Sequence, residues 1–425
     1  MNLLLYSLLL TSKSKSNSFP ITPWIPQGRR IPIMQGYTDD NSTQITLLVS
    51  QIENLSYNIT AIDKVSQQPQ FHINNFCFPN SKYKIEKIFI SNLENNSSYK
   101  LEVFDKNNQL IDLRFFKTLN TLSNSLKIGL MSCMDDRSPI HAPMWKSVIE
   151  KKSDILFFLG DNAYIDDEEI STTPESIWER HVETRMTLDI YQVENLIPIL
   201  AIWDDHDYGV DNGNSSFEHK QKSLEIFKAF FGNNDSTYLE NGPGNCFYVR
   251  LANQRFVFFD SRYFRQNESL STSKVWGQDQ ISWFISKLDP KSNDPVWFVN
   301  GSQFFGAYHH YESVEREAST ELTQLLDVAR NLNSVSIFIS GDLHYSEISS
   351  IEKKLLGFQS LELTSSAIHS TKADDLRNNP RRVISYRENN YFIVTAHVNQ
   401  AQLNLKIDIC GRNQTYNSSS YNIKK

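Results

Sequence analysis

Six short apolar runs constrain this chain more than any other feature: "KIGLMSC", "DILFFLGD", "IPILAIWDDH", "FVFFDSR", "VWFVNGSQ" and "SIFISGDLH". Each has strand length and is nearly continuous in hydrophobic residues, the pattern of a sheet covered on both faces. Each then stops in polar or ionisable residues. In open α/β sheets, reactive groups gather outside the carboxyl ends of the strands. One such ending would carry little weight. Six of them place Cys133, Asp161, Asp205, His206, Arg262, Gln303, Asp342 and His344 as candidates on one rim.

The chain before these runs reads differently. "STQITLLVSQ" and "KIEKIFISNL" alternate polar and apolar residues, as half-buried strands do. "YKLEVFDKNNQLIDLRFFKT" reads as two strands about Asn107-Asn108, a hairpin signal. Leu93, followed by Tyr99 and another strand, resembles the tyrosine corner of fibronectin-type sandwiches. Residues 19–121 are therefore expected to be all-β. They hold no cluster of His, Cys and carboxylates, so their expected role is packing or positioning. The polar "NTLSNS" leads into residues 122–425, and "YFIVTAHVNQAQLNLKIDIC" predicts a closing hairpin.

At the start, "MNLLLYSLLLTSKSKS" carries an apolar stretch from Leu3 to Leu10. Residues 1–18 are read as a secretory signal, with export to the periplasm or beyond as the expectation. The stretch is too short to cross a bilayer, and no other run suggests a transmembrane anchor. N-x-[ST] sequons such as Asn41-Ser42-Thr43 and Asn58-Ile59-Thr60 are commonplace in so Asn- and Ser-rich a chain.

Composition removes several function classes. At 425 residues the chain exceeds one ordinary core, and two domains are expected. A hydrophobic share of 40% with 12% aromatics excludes global disorder. A net charge of -7 argues against an electrostatically driven nucleic-acid binder, so no specific nucleic-acid partner is expected. Cys77, Cys133, Cys246 and Cys410 form no CxxC pattern and are too few for a disulfide scaffold of this size. GxSxG, GxxxxGK[ST] and GxGxxG are all missing. Cys133 and Arg137 stand too close together for the C-x5-R loop of a cysteine phosphatase.

The rim residues do suit a metal centre. In "AIWDDHDYG", Asp204, Asp205 and Asp207 crowd around His206, and carboxylates that close repel unless water or a cation compensates. "FLGDNAY" sets Tyr164 three residues after Asp161, and a phenolate suits Fe(III). "GDLHYSE" sets Asp342 and His344 at i and i+2, which share a face on an extended strand end. Cys133 adds a thiolate. Oxygen, nitrogen and sulfur donors together imply at least one transition metal. Each residue also has a plainer reading. Asp161 could be a helix N-cap, the acidic run a solvated turn, Cys133 a small buried hydrophobe, Tyr164 packing, and His344 a core histidine. Those readings weaken together, because each residue ends its own strand.

"SCMDD", "FLGDNAYID", "WERHVETR", "AIWDDHDYG", "FFDSRYF", "WFVNGSQ" and "SGDLHYSEI" occur in one order over about 127 to 410. By these motifs the chain resembles the alkaline phosphatase D (PhoD-like) family of metallophosphatases. The resemblance implies an α/β fold: a four-layer αββα metallophosphatase core preceded by an all-β immunoglobulin/fibronectin-like sandwich. It implies one metal on Cys133, Asp161, Tyr164 and His344, with Fe(III) expected. A second would lie on Asp161, Asp205 and Asp342, where Ca(II) is expected and Mn, Mg or Zn are alternatives. His206 would face the scissile phosphate and its neighbour Asp205 the second metal, since adjacent side chains of an extended segment point different ways. Arg262, with its strand-end position, is the leading phosphate clamp, and Arg137, Arg185, Asn162 and Gln303 are further candidates for holding substrate. The implied reaction is hydrolysis of a small phosphate ester by a metal-activated water, foremost of monoesters. A phosphodiesterase acting on phospholipid, nucleic acid or teichoic acid is the alternative. A non-catalytic surface protein with a metal-stabilised scaffold is the rival from another class, disfavoured because every ligand position is filled. The oligomeric state is left open.

Overall fold

Period-two alternation builds the amino-terminal strands of the computed structural model, which describes residues 30–62, 66–166, 172–266, 273–308, 312–400 and 402–425. The secretory-signal reading of residues 1–18 lies outside them. Strands β1 (Ile33–Thr38), β2 (Thr43–Ser50), β3 (Ser56–Ala61), β4 (Gln70–Cys77), β5 (Tyr83–Ser91), β6 (Ser98–Phe104) and β7 (Leu110–Lys117) make two sheets. Their orders are β1-β2-β5-β4 and β3-β6-β7. Ile45, Leu47, Ile88 and Ile90 of the first sheet share one buried core with Ile59, Leu101 and Val103 of the second. The hairpin expected at Asn107-Asn108 forms between β6 and β7. There Asp105 Oδ1 accepts from the Asn107 and Gln109 amides, and Asn108 takes a φ of 61°. The Tyr99 hydroxyl accepts from the Glu94 amide at 2.7 Å.

All six apolar runs become strands. β8 (Ser125–Met131), helix α1 (His141–Glu150), β9 (Ile155–Leu159), α2 (Pro174–Thr187), β10 (Ile199–Ile202), the single turn α3 (Asp205–Tyr208) and α4 (Lys220–Phe231) follow in order. β8, β9 and β10 are mutually parallel. Ile128, Leu130, Phe157, Leu159, Leu200 and Ile202 point into one core, while Met131, Leu156, Phe158, Ile199 and Ala201 point into another. Burial on both faces is why these strands carry no polar alternation.

The next stretch supplies β11 (Leu239–Asn241), β12 (Phe247–Leu251), β13 (Gln254–Phe258), α5 (Gly277–Lys287), β14 (Val296–Val299), α6 (Val314–Glu317), α7 (Ser319–Asn331), β15 (Ser336–Ser340), β16 (Ser346–Ile351), α8 (Lys353–Leu356), β17 (Ser360–Thr364) and β18 (Arg382–Tyr386). The eight strands order as β11-β12-β13-β14-β15-β17-β16-β18. Phe157 of β9 meets Phe256 and Phe258 of β13 edge-on at 5.2 and 5.0 Å, joining the two large sheets. Phe284 of α5 meets Phe298 of β14. The chain closes with β19 (Tyr391–Asn399), β20 (Gln402–Cys410) and β21 (Thr415–Lys424). β19 and β20 form the expected hairpin, and β19 also pairs with β8. β21 was not anticipated: "TYNSSSYNIK" is largely polar, and of its side chains only that of Ile423 is fully buried.

The amino-terminal strands are not a loose appendage. Met34, Leu48 and Ile85 enter the core built by Trp145, Trp178, Phe227 and Phe230 of the helices. The buried Lys87 ammonium donates to the carbonyls of Lys228 and Gly232 at the end of α4, at 2.5 and 2.6 Å. Phe115 of β7 bridges to Asn195.

Candidate metal centre and active site

The carboxyl ends of the parallel strands of both large sheets meet at one place. The Cys133 amide donates to the Gly160 carbonyl, and the Gly341 amide to the Gly301 carbonyl. Gly341 is so close to the other sheet that a Cβ there would sit 2.8 Å from Ser132 Cβ. At this junction, donor atoms of Cys133, Asp161 and His344 lie within 4.8 Å of one another, and so do those of Asp161, Asp205 and His206. Asp161 belongs to both groups. The Cys133 thiol is 3.4 Å from Asp161 Oδ2, and the Tyr164 hydroxyl is 3.3 Å from His344 Nε2.

Two geometric expectations need correction here. Asp342 and His344 are not on an extended strand end: both have left-handed backbones, with φ of 70° and 57°. "DDHD" is not extended either, because Asp205 opens the turn α3. Cys133 (φ 60°) and Asp161 (φ 52°) are also left-handed. For a non-glycine residue each such conformation costs of order 1–3 kcal/mol, and it persists where surrounding structure imposes it. Left-handed backbones also occur away from the site, as at Lys152, Ala252 and Gln400, but the four named above all carry candidate donors.

The crowded carboxylates of "AIWDDHDYG" are accommodated in three ways. Asp204 accepts from the Arg262 Nε at 2.6 Å and from the Ser261 hydroxyl at 2.7 Å. Asp207 accepts from the backbone and side-chain amides of Asn162 and from the Asp204 amide. Asp205 accepts from the His206 and Asn212 amides and turns toward Asp161. Burial raises its carboxyl, but the Arg262 guanidinium and His206 more than offset that and hold it below the ordinary carboxylate range.

The remaining donors are electrostatically uncompensated. Burial, and then neighbouring negative charge, pushes the Cys133 thiol and the Tyr164 phenol well above their usual values. Burial also raises Asp161, against the opposing pull of His206. Asp161 is 2% exposed, yet its Oδ1 has no hydrogen-bond partner among the described residues. The same holds for Asn162 Oδ1 and Asp204 Oδ2. Buried acceptors with no donor are costly, and a cation is the group that satisfies several acceptors at once. The donor set thus fits metal.

His206 sits at the edge of this cluster. Its Nδ1 is 2.6 Å from Asp166 Oδ1, and its ring lies 4.2 Å from that of Tyr164. Burial lowers its pKa, but Asp161, Asp166 and Asp205 raise it further, to about 11. Partial burial, and then the His206 charge, lower His344 to about 4.

The other predicted residues are placed less as expected. A third group of donor atoms within 4.8 Å joins Asp166, His206 and Asp211, and Asp342 belongs to none of the three among the described residues, although burial and then the charges of Asp204 and Asp205 raise its carboxyl, so it shares their field. Arg262 is fully buried, and its guanidinium is engaged by Asp204 and Glu312. Arg185 is buried against the rings of Tyr191, Phe230 and Phe231 and donates to the Phe230 carbonyl. Arg137 lies at the surface, paired with Asp135. Gln303 donates to Glu347 and Thr364 inside the second large sheet. The Asn162 amide nitrogen is spent on Ile202 and Asp207, so what Asn162 offers the site is an acceptor, suited to a cation rather than to phosphate. Three contributors went unread. Asp166 closes the quoted "FLGDNAYID". Ser366 lies 3.0 Å from the Cys133 sulfur. Arg377 is an arginine whose charge is felt at both Asp342 and His344. Ser366 and Arg377 lie outside the apolar runs that signalled the rest.

A family model described as PhoD-like phosphatase matches residues 128–408, well over half of the chain and every metal-donor residue above. No curated protein matches. Among solved structures, an amylomaltase from Corynebacterium glutamicum is similar at 11% identity and a TM-score of 0.17, over 50% of this chain and 34% of that one. Astrotactin-2, described as a perforin-like membrane protein involved in neuronal development, is similar at 10% identity and a TM-score of 0.18. That match covers 59% of this chain and 44% of the other. This chain spans less than half the length of either, and likeness at these scores carries no argument.

Proposed function

The chain belongs to the PhoD-like phosphatase family, and from that premise we propose that it hydrolyses small phosphate monoesters at a two-centre metal site. In this reading residues 19–121 are a sandwich of the immunoglobulin/fibronectin type, residues 122–425 are a four-layer αββα catalytic domain, and the chain is exported. Cys133, Asp161, Tyr164 and His344 would hold Fe(III). Asp161, Asp205 and Asp342 would hold Ca(II), with Mn, Mg or Zn as substitutes. The supporting observation is Asp161, common to both donor groups, with one buried oxygen lacking a donor. When bound, the metals would polarise the phosphoryl oxygens and bring the pKa of a water from about 15.7 to near 7. The chain's own part is to position and to move a proton. His206, with Nδ1 taken by Asp166, has Nε2 left to protonate the leaving alkoxide. Arg377, rather than Arg137, Arg185 or Arg262, is the arginine we assign to the substrate's charge. Asp204, Asp207 and Arg262 keep Asp205 in place.

The test is metal analysis of the purified protein alongside assays on p-nitrophenyl phosphate and its bis ester. Bound iron with a second metal, and faster turnover of the monoester, are expected. Preference for the bis ester would move the reading to a phosphodiesterase, and metal without activity would move it to a scaffold. Tyrosinate on Fe(III) absorbs in the visible, so the protein should be coloured and Tyr164→Phe colourless. A colourless, iron-free, active enzyme would remove Fe(III) from the proposal.

A further inference from the structure

We propose that Asp166 is the positioning residue that fixes the ring of His206, an inference that rests on the phosphoester hydrolysis proposed above. The carboxylates nearest to His206 in sequence do not perform this task. Asp204 is occupied by Arg262 and Ser261, Asp207 by Asn162, and Asp205 by backbone amides on the side facing Asp161. The partner comes instead from a loop forty residues away, with Asp166 Oδ1 at 2.6 Å from Nδ1. That loop is held to His206 at two further points. Tyr164 lays its ring 4.2 Å from the imidazole, and the Ile165 amide donates to the His206 carbonyl at 3.3 Å. Both partners are largely shielded, with side-chain exposures of 21% for His206 and 15% for Asp166, so water competes weakly for the bond.

A carboxylate accepts but does not donate, so Asp166 selects the arrangement in which Nδ1 carries hydrogen. Nε2 is then the nitrogen available to the cluster of Asp161 and Asp205. Such orienting partners of a histidine typically change activity or metal affinity by about 10–100-fold when removed. One loop therefore supplies Asp161, the shared donor, Tyr164, the phenol, and Asp166, which orients the histidine. A shift of that loop would affect all three together.

Asp166→Asn keeps the shape but replaces one acceptor oxygen with a donor. It should lower kcat on an alkyl phosphate by about 10–100-fold, with KM and metal content near wild type. The loss should be smaller on p-nitrophenyl phosphate, whose leaving group hardly needs a proton. Asp166→Glu should recover part of the rate. Combining Asp166→Asn with His206→Asn should cost no more than His206→Asn alone, since both remove one unit of function. As a readout apart from activity, carbethoxylation of His206 in the as-purified protein, followed by peptide mass spectrometry, should be faster in Asp166→Asn because Nδ1 is uncovered. Wild-type kcat in Asp166→Asn, multiplying losses in the double variant, unchanged carbethoxylation, or loss of metal from Asp166→Asn would each overturn the assignment. If the unaltered protein hydrolyses no phosphate ester, the functional reading fails instead, and the carbethoxylation comparison still decides whether Asp166 covers Nδ1.

Discussion

Arg262 ends its strand beside the site but is 0% exposed, with Nε 2.6 Å from Asp204 and Nη2 2.6 Å from Glu312. Removing the guanidinium leaves the buried Asp204 carboxylate without its cation, while Glu312 keeps Arg265, so Arg262→Ala should cost about 3–5 kcal/mol of stability. Urea unfolding measures this, and a stable variant with raised KM alone would return Arg262 to the substrate. His206→Asn should lower kcat by about 10²–10⁴ and leave metal content intact, whereas Asp205→Ala should lose the second metal and activity together. Metal loss from His206→Asn would make the histidine a ligand, which its proximity to Asp161 and Asp205 makes a real contest. At this scale the donors were legible in the sequence, because each follows an apolar run. Their partners were not. Nothing in "RYF" announces that Arg262 will meet Glu312, and nothing in "AYID" announces that Asp166 will meet His206.

Elements show the same division. The six core strands were legible because burial on both faces leaves them without polar residues. The turn at Asp205–Tyr208 was read as extended, since four residues are too few to show a helical period. The contact between β5 and α4 left no local signal: Lys87 looks like an ordinary solvated strand residue, yet it is buried and donates to two carbonyls at a helix end. Lys87→Met removes these two bonds, but the Lys228 carbonyl keeps the Gly232 amide and the Gly232 carbonyl keeps Gln44 Nε2, so the cost should be about 0.5–1.5 kcal/mol, visible as a lower unfolding midpoint. A chain starting near Leu126 would also lose Met34, Leu48 and Ile85 from the helical core. It should bind the same metals if it folds, because the donor groups among the described residues all come from later residues, but with much reduced stability. Equal thermal midpoints for the short and full chains would contradict the shared core.

Over the whole molecule, pH should act through histidines buried away from the metal centre. Burial against Phe227, Phe230 and Phe231, and then the charges of Arg185 and Arg180, push His181 down to about 3. Its folded pKa lies below the unfolded value, so its contribution is fully present above about pH 6.5 and is lost as pH falls toward 3. At pH 4 the loss from this one residue is on the order of 3 kcal/mol. His181→Phe should flatten the stability curve between pH 6.5 and 4, and an unchanged curve would show that other groups drive acid unfolding. The sequence by itself determined the strands, the end of each strand that bears ionisable groups, and that Cys133, Asp161, Asp205, His206 and His344 gather there, because hydrophobic burial and strand direction act over five to ten neighbouring residues. Only the tertiary structure decided that Arg185 and Arg262 are internal supports and that Asp166 lies against His206. Those outcomes depend on pairings such as Asp166 with His206 and Arg262 with Glu312, 40 and 50 residues apart, which only the register of two sheets and the course of their loops can set.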